Sequence, residues 1–350
     1  MDFFVQWHLT ERCNLRCRHC YQSGKGTRRG ELSLEEAKAV ADEVYGTLES
    51  WAEAYQVEFS PSFNVTGGEP FLRGDLMDVI GLLRDRGFDV YLLTNGTLVT
   101  GEMAARLASL GVRGVQVSIE GPRDTHDSIR GRGSFSAAMR GVRRLVDAGL
   151  TVTLNATLSR LNAGLVGDIV ALALACGARR VGFSRLVPAG RGLGMVSEGL
   201  RPGQVKELYS SLLSQSIDGL EIVTGDPVAA QLDADGGGGF PGGGGCTAFG
   251  GCAAGVSGLT LLSDGTITPC RRLHIPIGNI REDSIREVWA TSQVLERLRD
   301  RSGYGGRCGR CPRWETCRGC RAIAYAYSLA SDGSKGDYLA EDPQCFIEID

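Results

Sequence analysis

Three cysteines near the amino terminus, Cys13, Cys17 and Cys20, stand at the spacing C-x3-C-x2-C in "ERCNLRCRHCYQSG". Four thiols would close a tetrahedral metal site; three leave a coordination position open. On a four-iron four-sulfur cluster, three thiolates leave one iron without a protein ligand. A small molecule can chelate that iron through an amine and a carboxylate. Thiolate and sulfide ligation holds the cluster at low potential, where it can donate an electron. If the chelating molecule is a sulfonium, that electron breaks a carbon–sulfur bond; the cofactor carries the hard chemistry and the protein positions it. The competing reading is a zinc site that takes its fourth ligand from His8 or His19.

Eleven of the twelve cysteines fall within residues 13–20 or 246–345. The second group runs Cys246-x5-Cys252-x17-Cys270, then Cys308-x2-Cys311-x5-Cys317-x2-Cys320, then Cys345. Eight thiolates make two closed sites of four. Clustered cysteines without a secretory signal point to metal or redox work rather than to disulfides. Taken alone, "CGRCPRWETCRGC" also fits a zinc ribbon. Cys176, in the apolar run "ALALACG", reads as a buried, inert thiol.

The elements that position these thiols show in a repeated pattern. A helical segment ends at a glycine and a β-rich run follows, in "LLRDRGFDVYLLTNG", "RLASLGVRGVQVSIEG", "RLVDAGLTVTLNATL" and "ALACGARRVGFSRLV". Gly87, Gly111, Gly149 and Gly177 sit where a helix C-terminus favours a left-handed residue. An earlier unit has the strand "FFVQWHLT", a helix opened by the capping box Ser33–Glu36, and a second strand in "YQVEFSPSFNVTGG". About six β/α units between residues 3 and 187 predict a parallel sheet with right-handed crossovers. Six suit an open, partial (β/α)6 barrel rather than a closed eight-fold one. In such sheets chemistry belongs at the C-terminal ends of the strands, where the cysteine loop lies.

The predicted division is an α/β domain over 1–225, including a bridging helix near 202–217, and a small cysteine-rich domain over 226–350. The glycine-rich stretch "DADGGGGFPGGGGCTAFGGC" reads either as a linker or as a loop whose backbone wraps an inorganic cluster. Asp264-Gly265 between two β runs predicts a hairpin. "IREVWATSQVLERLRD" predicts one amphipathic helix. A net charge of −3 gives no basic field for nucleic acid or an anionic membrane, and no apolar run is long enough for a membrane span. The start "MDFFVQWHLTER" reads as a strand rather than a signal peptide, so the expected compartment is the cytoplasm.

On these residues the chain resembles the radical S-adenosylmethionine (radical SAM) superfamily. C-x3-C-x2-C after the first strand, with an aromatic Tyr21 just beyond, is that family's signature. "TGGEP" is similar to its GGE motif, which implies that Gly67, Gly68 and Glu69 meet the methionine amine of the cofactor. The resemblance implies further cofactor contacts at the strand ends: Thr94 and Asn95, Ser118, Asn155, and Arg185 facing the carboxylate. The second cysteine set resembles the SPASM extension, with two auxiliary 4Fe–4S clusters. That implies Cys246, Cys252, Cys270 and Cys320 on one cluster and Cys308, Cys311, Cys317 and Cys345 on the other.

The implied activity is reductive cleavage of S-adenosylmethionine and hydrogen abstraction from a peptide or protein. The expected enzyme is a ribosomal-peptide maturase that forms a thioether or a carbon–carbon link. Other oxidation or epimerisation, of a peptide or a small cofactor precursor, is the alternative, and a non-catalytic iron–sulfur or zinc scaffold is the third reading. Cys270 is followed by Arg271, where sulfatase-maturing members carry an Asp, which argues against formylglycine formation. Expected partners are the peptide substrate and a flavodoxin- or ferredoxin-type electron donor; because the first strand starts at residue 3, either a separate protein binds the leader or the substrate is not leader-directed. Glu120, Asp124 and His126, in "SIEGPRDTHDSIRG" just beyond strand four, are the candidate acid–base residues, with a solvated loop as the competing reading.

Overall fold

The computed structural model describes residues 1–23, 30–234, 251–333 and 335–349. Most of the glycine-rich stretch, with Cys246, lies outside the described residues. Among the described residues ten strands form one sheet: β1 Asp2–His8, β2 Ser60–Thr66, β3 Asp89–Thr94, β4 Gly114–Ser118, β5 Val152–Leu158, β6 Arg180–Arg185, β7 Glu221–Val223, β8 Gly258–Leu261, β9 Thr266–Thr268 and β10 Gly278–Asn279. Their order is β10-β9-β8-β1-β2-β3-β4-β5-β6-β7, so the sheet is open, with β7 and β10 at its edges.

From β1 to β6 every pairing is parallel, as the alternating pattern predicts, and a further strand that the pattern did not include, β7, pairs parallel with β6. The crossovers are α1 Leu34–Tyr55, α2 Leu76–Asp85, α3 Gly101–Ser109, α4 Arg123–Arg130, α5 Ser134–Asp147 and α6 Val166–Ala175; α7 Pro202–Leu213 precedes β7. Ser33 and Glu36 do form a capping box at the start of α1. Ala37, Val40, Val44 and Leu48 bury the face of α1 that their spacing predicts, and the core continues through Val65, Leu92, Val117, Leu154 and Phe183 of the strands. Gly87, Gly111, Gly149 and Gly177 all take positive φ, between 69° and 81°, after their helices.

The carboxyl-terminal residues extend this sheet. β8 pairs parallel with β1, and β8 and β9 form the antiparallel hairpin expected at Asp264-Gly265. Two expectations need correction. "IREVWATSQVLERLRD" is two short helices, Ile285–Thr291 and Gln293–Arg299. The break is Ser292, which is extended at ψ 115° and whose side chain accepts from the Leu295 amide, so it caps the second helix instead of continuing the first. The segment after β4, read as a loop, is helix α4, started behind Pro122 and stopped by Gly131 at φ 113°. Among the described residues no helix is long and apolar enough to cross a membrane.

Candidate active site

The loop after β1 carries Cys13, Cys17 and Cys20, and two glycine segments hold it in place. On one side the amide of Gly68 donates to the Thr10 carbonyl at 2.7 Å and that of Glu69 to the Arg12 carbonyl at 2.8 Å. A Cβ at Gly67 would stand 2.5 Å from the Thr10 carbonyl oxygen, and one at Gly68 2.7 Å from the Arg12 carbonyl carbon. Only glycine lets these backbones approach so closely. On the other side lies Gly190–Arg191–Gly192, after β6. The Gly192 amide donates to the Cys20 carbonyl at 2.9 Å, the Arg191 amide to the Gln22 carbonyl at 3.3 Å and Arg191 Nε to the Cys17 carbonyl at 3.3 Å. The sequence reading missed this second clamp; its signal is "GRG" in the segment that follows β6.

The three cysteines open onto one cavity of about 940 Å³ at the C-terminal ends of the strands. Gly67, Gly68, Thr94, Asn95, Ser118, Asn155 and Arg185 line the same cavity. Ser118 and Asn155 are register partners on β4 and β5. The next partner, Gly182 on β6, leaves room for the Asn155 amide: a Cβ there would sit 2.8 Å from Asn155 Oδ1. Burial pushes the thiols of Cys13 and Cys17 up, and mutual repulsion among the three adds to it.

Two residues implied as cofactor contacts occupy other positions. Glu69 is fully buried behind the cavity wall and is not part of its lining. Its Oε1 accepts from Thr94 Oγ1 at 2.7 Å and from the Phe71 amide at 3.3 Å, and its Oε2 from the Asn95 amide at 2.8 Å. It braces the turn that presents Thr94 and Asn95. Burial outweighs those donors and raises its carboxyl to about 7. Arg185 lines the cavity, but its N–H groups are committed to Asp226, Asp342 and Gln344, at 2.6–3.0 Å. A guanidinium has five N–H donors and all five are used, so none remains for a cofactor carboxylate.

None of the acid–base candidates lines the cavity. Glu120 is fully buried and held by Arg130, with Nε at 2.8 Å and Nη2 at 2.5 Å from its Oε1, while its Oε2 accepts from the Thr157 amide at 2.8 Å. His126 is buried; its Nδ1 accepts from the Glu120 amide at 3.2 Å, and burial followed by the charge of Arg130 lowers its pKa to about 4. Asp124 is exposed on α4. A locked ion pair, a buried neutral imidazole and a solvated side chain offer no base to a substrate in the cavity. His19 and Arg130 line the cavity instead. Burial drives His19 down to about 4, so it is neutral beside the cysteines.

The cavity is completed by Arg271 and Arg272 of the carboxyl-terminal domain, directly after Cys270. In that domain Cys308, Cys311, Cys317 and Cys345 line a second pocket of about 380 Å³, together with Ile347 and Ile349. Cys252, Cys270 and Cys320 fall outside it. The Cys252 amide donates to the Cys317 carbonyl at 2.9 Å, and Arg272 carries the charge of Cys320 and Cys270 as neighbours.

The donor set suits iron–sulfur clusters. All candidate ligands are thiols, the soft donors such clusters use. Donors to sulfur are in place: the Leu15 amide to Cys13 at 3.4 Å, the Gly319 amide to Cys317 at 3.4 Å and Arg321 Nη2 to Cys308 at 3.5 Å. Among the described residues no three His, Cys, Asp or Glu side chains are drawn together as ligands of a single metal ion. A polynuclear cluster holds its thiolates further apart than one ion does.

A model of the radical SAM superfamily matches residues 7–163, and one of the SPASM iron–sulfur cluster-binding domain matches residues 252–321. An AdoMet-dependent heme synthase of Methanosarcina barkeri is 33% identical, over 97% of this chain and 95% of that protein. One from Nitratidesulfovibrio vulgaris is 31% identical over 97% and 91%. Mycofactocin maturase MftC of Mycobacterium tuberculosis is 31% identical over 97% and 82%. The chain therefore belongs to the radical SAM superfamily, in the group that carries a SPASM domain. It is an enzyme, and its cofactors are 4Fe–4S clusters and S-adenosylmethionine. Two solved structures share the fold: anSMEcpe with bound AdoMet and Cp18Cys peptide (TM-score 0.70, 20% identity, 93% of this chain and 90% of that one) and Streptococcus suis SuiB bound to precursor peptide SuiA (TM-score 0.71, 15% identity, 99% and 76%).

Proposed function

We propose that this enzyme abstracts hydrogen from a peptide substrate and acts as a maturase that closes a carbon–sulfur or carbon–carbon link. The observation that carries the reading is the single cavity in which the cysteine triad, the strand-end polar residues and the arginines of the SPASM domain meet. Cys13, Cys17 and Cys20 would hold a 4Fe–4S cluster, which would supply the electron for reductive cleavage of S-adenosylmethionine bound beside it. Gly67, Gly68, Thr94, Asn95, Ser118 and Asn155 orient the nucleoside and amino-acid parts of that cofactor, and Glu69 keeps the Thr94–Asn95 turn rigid. Cys252, Cys270 and Cys320, with Cys246, hold one auxiliary cluster; Cys308, Cys311, Cys317 and Cys345 hold the other. The relative MftC, a maturase by name, supports a peptide as the substrate. A flavodoxin or ferredoxin supplies the electron, and a separate protein presents the leader.

A second reading has its own support. The heme synthases, at 33% and 31% identity over 95% and 91% of their length, match this chain more fully than MftC does at 31% over 82%, and the cavity has arginines but no carboxylate in its lining. An acidic small cofactor precursor would suit both facts. The reduced, anaerobically reconstituted enzyme is to be mixed with S-adenosylmethionine and assayed for 5′-deoxyadenosine, alone and with candidate precursor peptides or an iron porphyrin. Replacing Cys13, Cys17 and Cys20 by Ala should abolish that product and leave about eight irons per chain, those of two four-iron clusters. Loss of all iron, or unchanged product, would overturn the assignment.

A further inference from the structure

The acidic groups that line the cavity are the thiols of Cys13, Cys17 and Cys20 and the phenol of Tyr21, with no carboxylate among them. Five arginines line it, and no Asp or Glu does. Arg130 is paired with Glu120, and Arg185 with Asp226 and Asp342. Among the described residues Arg191, Arg271 and Arg272 form no ion pair with an Asp or Glu, but Arg191 faces the Cys17 thiol and Arg272 those of Cys320 and Cys270. Arg191 is tied by Nε to the Cys17 carbonyl and so serves the cysteine loop. Arg272 has one long contact, Nη1 to the Arg185 carbonyl at 3.5 Å, and its Nε is buried without a partner.

Arg271 is the free one. Its side chain makes no hydrogen bond to any described residue, and its guanidinium carbon lies 5.8 Å from the centre of the Tyr21 ring. That ring is fixed in turn, with the Tyr21 hydroxyl 3.4 Å from His8 Nε2. A guanidinium resting on an aromatic face keeps its planar donor edge available. A partly buried cation without a counter-charge is costly, and an arriving anion removes that cost. S-adenosylmethionine cannot supply enough negative charge. It has one carboxylate against an ammonium and a sulfonium, so it enters as a cation.

We propose that Arg271, with Arg272 beside it, anchors a carboxylate of the substrate. The proposal rests on the reading that this cavity is where the cofactor and substrate meet. The carboxylate comes either from a peptide or from an acidic small molecule. Arg271 offers a bidentate donor edge and Arg272 Nε one further donor.

The test uses the full chain, reconstituted anaerobically and saturated with S-adenosylmethionine. Phenylglyoxal modification of each arginine is followed by peptide mass spectrometry. Arg271 should react, while Arg185, fully paired, should not. Glutarate, or triglycine with a free carboxyl terminus, should slow the reaction at Arg271 at least fivefold, and triglycine amide should not. Protection by glutarate alone assigns a small acid; protection by triglycine as well assigns a peptide terminus. Either supports the anchor. Protection by S-adenosylmethionine itself, or by no carboxylate, overturns it. In calorimetry, Arg271→Gln should weaken glutarate binding roughly ten- to a hundredfold, as loss of a charged hydrogen bond does, and Arg271→Lys should restore part of it. Equal affinity in wild type and Arg271→Gln would also overturn it. Equilibrium dialysis of S-adenosylmethionine against the wild type is the separate control: failure there would sink the functional reading and leave the anion result standing.

Discussion

Replacing Arg185 by Met tests whether that arginine ties the two domains together or binds the cofactor. Its guanidinium lies between two buried carboxylates, Asp226 after β7 and Asp342 near the carboxyl terminus. Asp342 also accepts from the amides of Cys320 at 2.9 Å and Gln344 at 3.0 Å, so the ion pair reaches a cysteine of the SPASM domain. Removing one partner of a buried ion pair costs about 3–5 kcal/mol, because the charge left behind is uncompensated. Two carboxylates lose their cation here, which places the loss at the upper end of that range. Met fills most of the volume and neutralises nothing. The loss should depend on pH, and its sign follows from Asp342. In the wild type, burial works to raise that carboxyl, but Arg185 and the amides hold it below the usual range. A lowered carboxyl contributes stability above its unfolded pKa and loses it in acid. Without Arg185, burial dominates and the folded-state pKa rises, so the variant is penalised most at neutral pH and regains stability as Asp342 takes up a proton. Chemical unfolding of the reconstituted enzyme at pH 7.5 and 5.5, with dialysis of S-adenosylmethionine alongside, reads both effects. A stability loss under about 1 kcal/mol, together with a tenfold loss of cofactor affinity, would refute the domain-tie argument and make Arg185 a cofactor contact.

Gly68→Ala should cost roughly 2–4 kcal/mol, since its Cβ would force the Gly68 and Glu69 amides off the cysteine loop and break two hydrogen bonds. Gly74→Ala, with nothing within 4 Å of the added carbon, should be close to neutral, and equal melting temperatures for the two variants would refute the clamp. His126 titrates near 4 in the folded enzyme and near 6.5 unfolded, so only the unfolded chain takes the proton between those values. Stability should therefore fall as pH drops from about 6.5 towards 4, by up to about 1.4 kcal/mol per pH unit from this residue, and His126→Asn should flatten that slope. An unchanged slope in denaturant titrations across that window would show that the imidazole protonates freely.

The sequence exposes what repeats and what is spaced along the chain. Glycine-terminated helices before apolar runs can be read because each obeys a local rule, and strands β1 to β6 follow from counting them, whereas the three-residue β7 does not. Cys13, Cys17 and Cys20 can be read for the same reason, as can Gly67 and Gly68, where close backbone approach tolerates one residue type. Partnership across long separations leaves no such mark. Nothing in "FSRLVP" says that Arg185 is spent on Asp226 and Asp342, the latter 157 residues away. The polar cluster in "SIEGPRDTHDSIRG" looks like an acid–base set because its residues are ionisable and close in sequence. α4 instead turns Arg130 onto Glu120 and leaves Asp124 in solvent.

The same contrast bears on specificity. The half of the cavity built from β-strand ends is polar and uncharged apart from the paired Arg185, and it comes from motifs visible one at a time. The half built from Arg271 and Arg272 exists only because β8 pairs with β1 and so carries the SPASM domain onto the strand ends. Cofactor chemistry is therefore written in the first domain, and the charge presented to the substrate is written in the junction. On this proposal, a change in the residue after Cys270 redirects the substrate without disturbing any strand of the sheet. Arg271, with no hydrogen bond to lose, is the position where such a change costs the fold least.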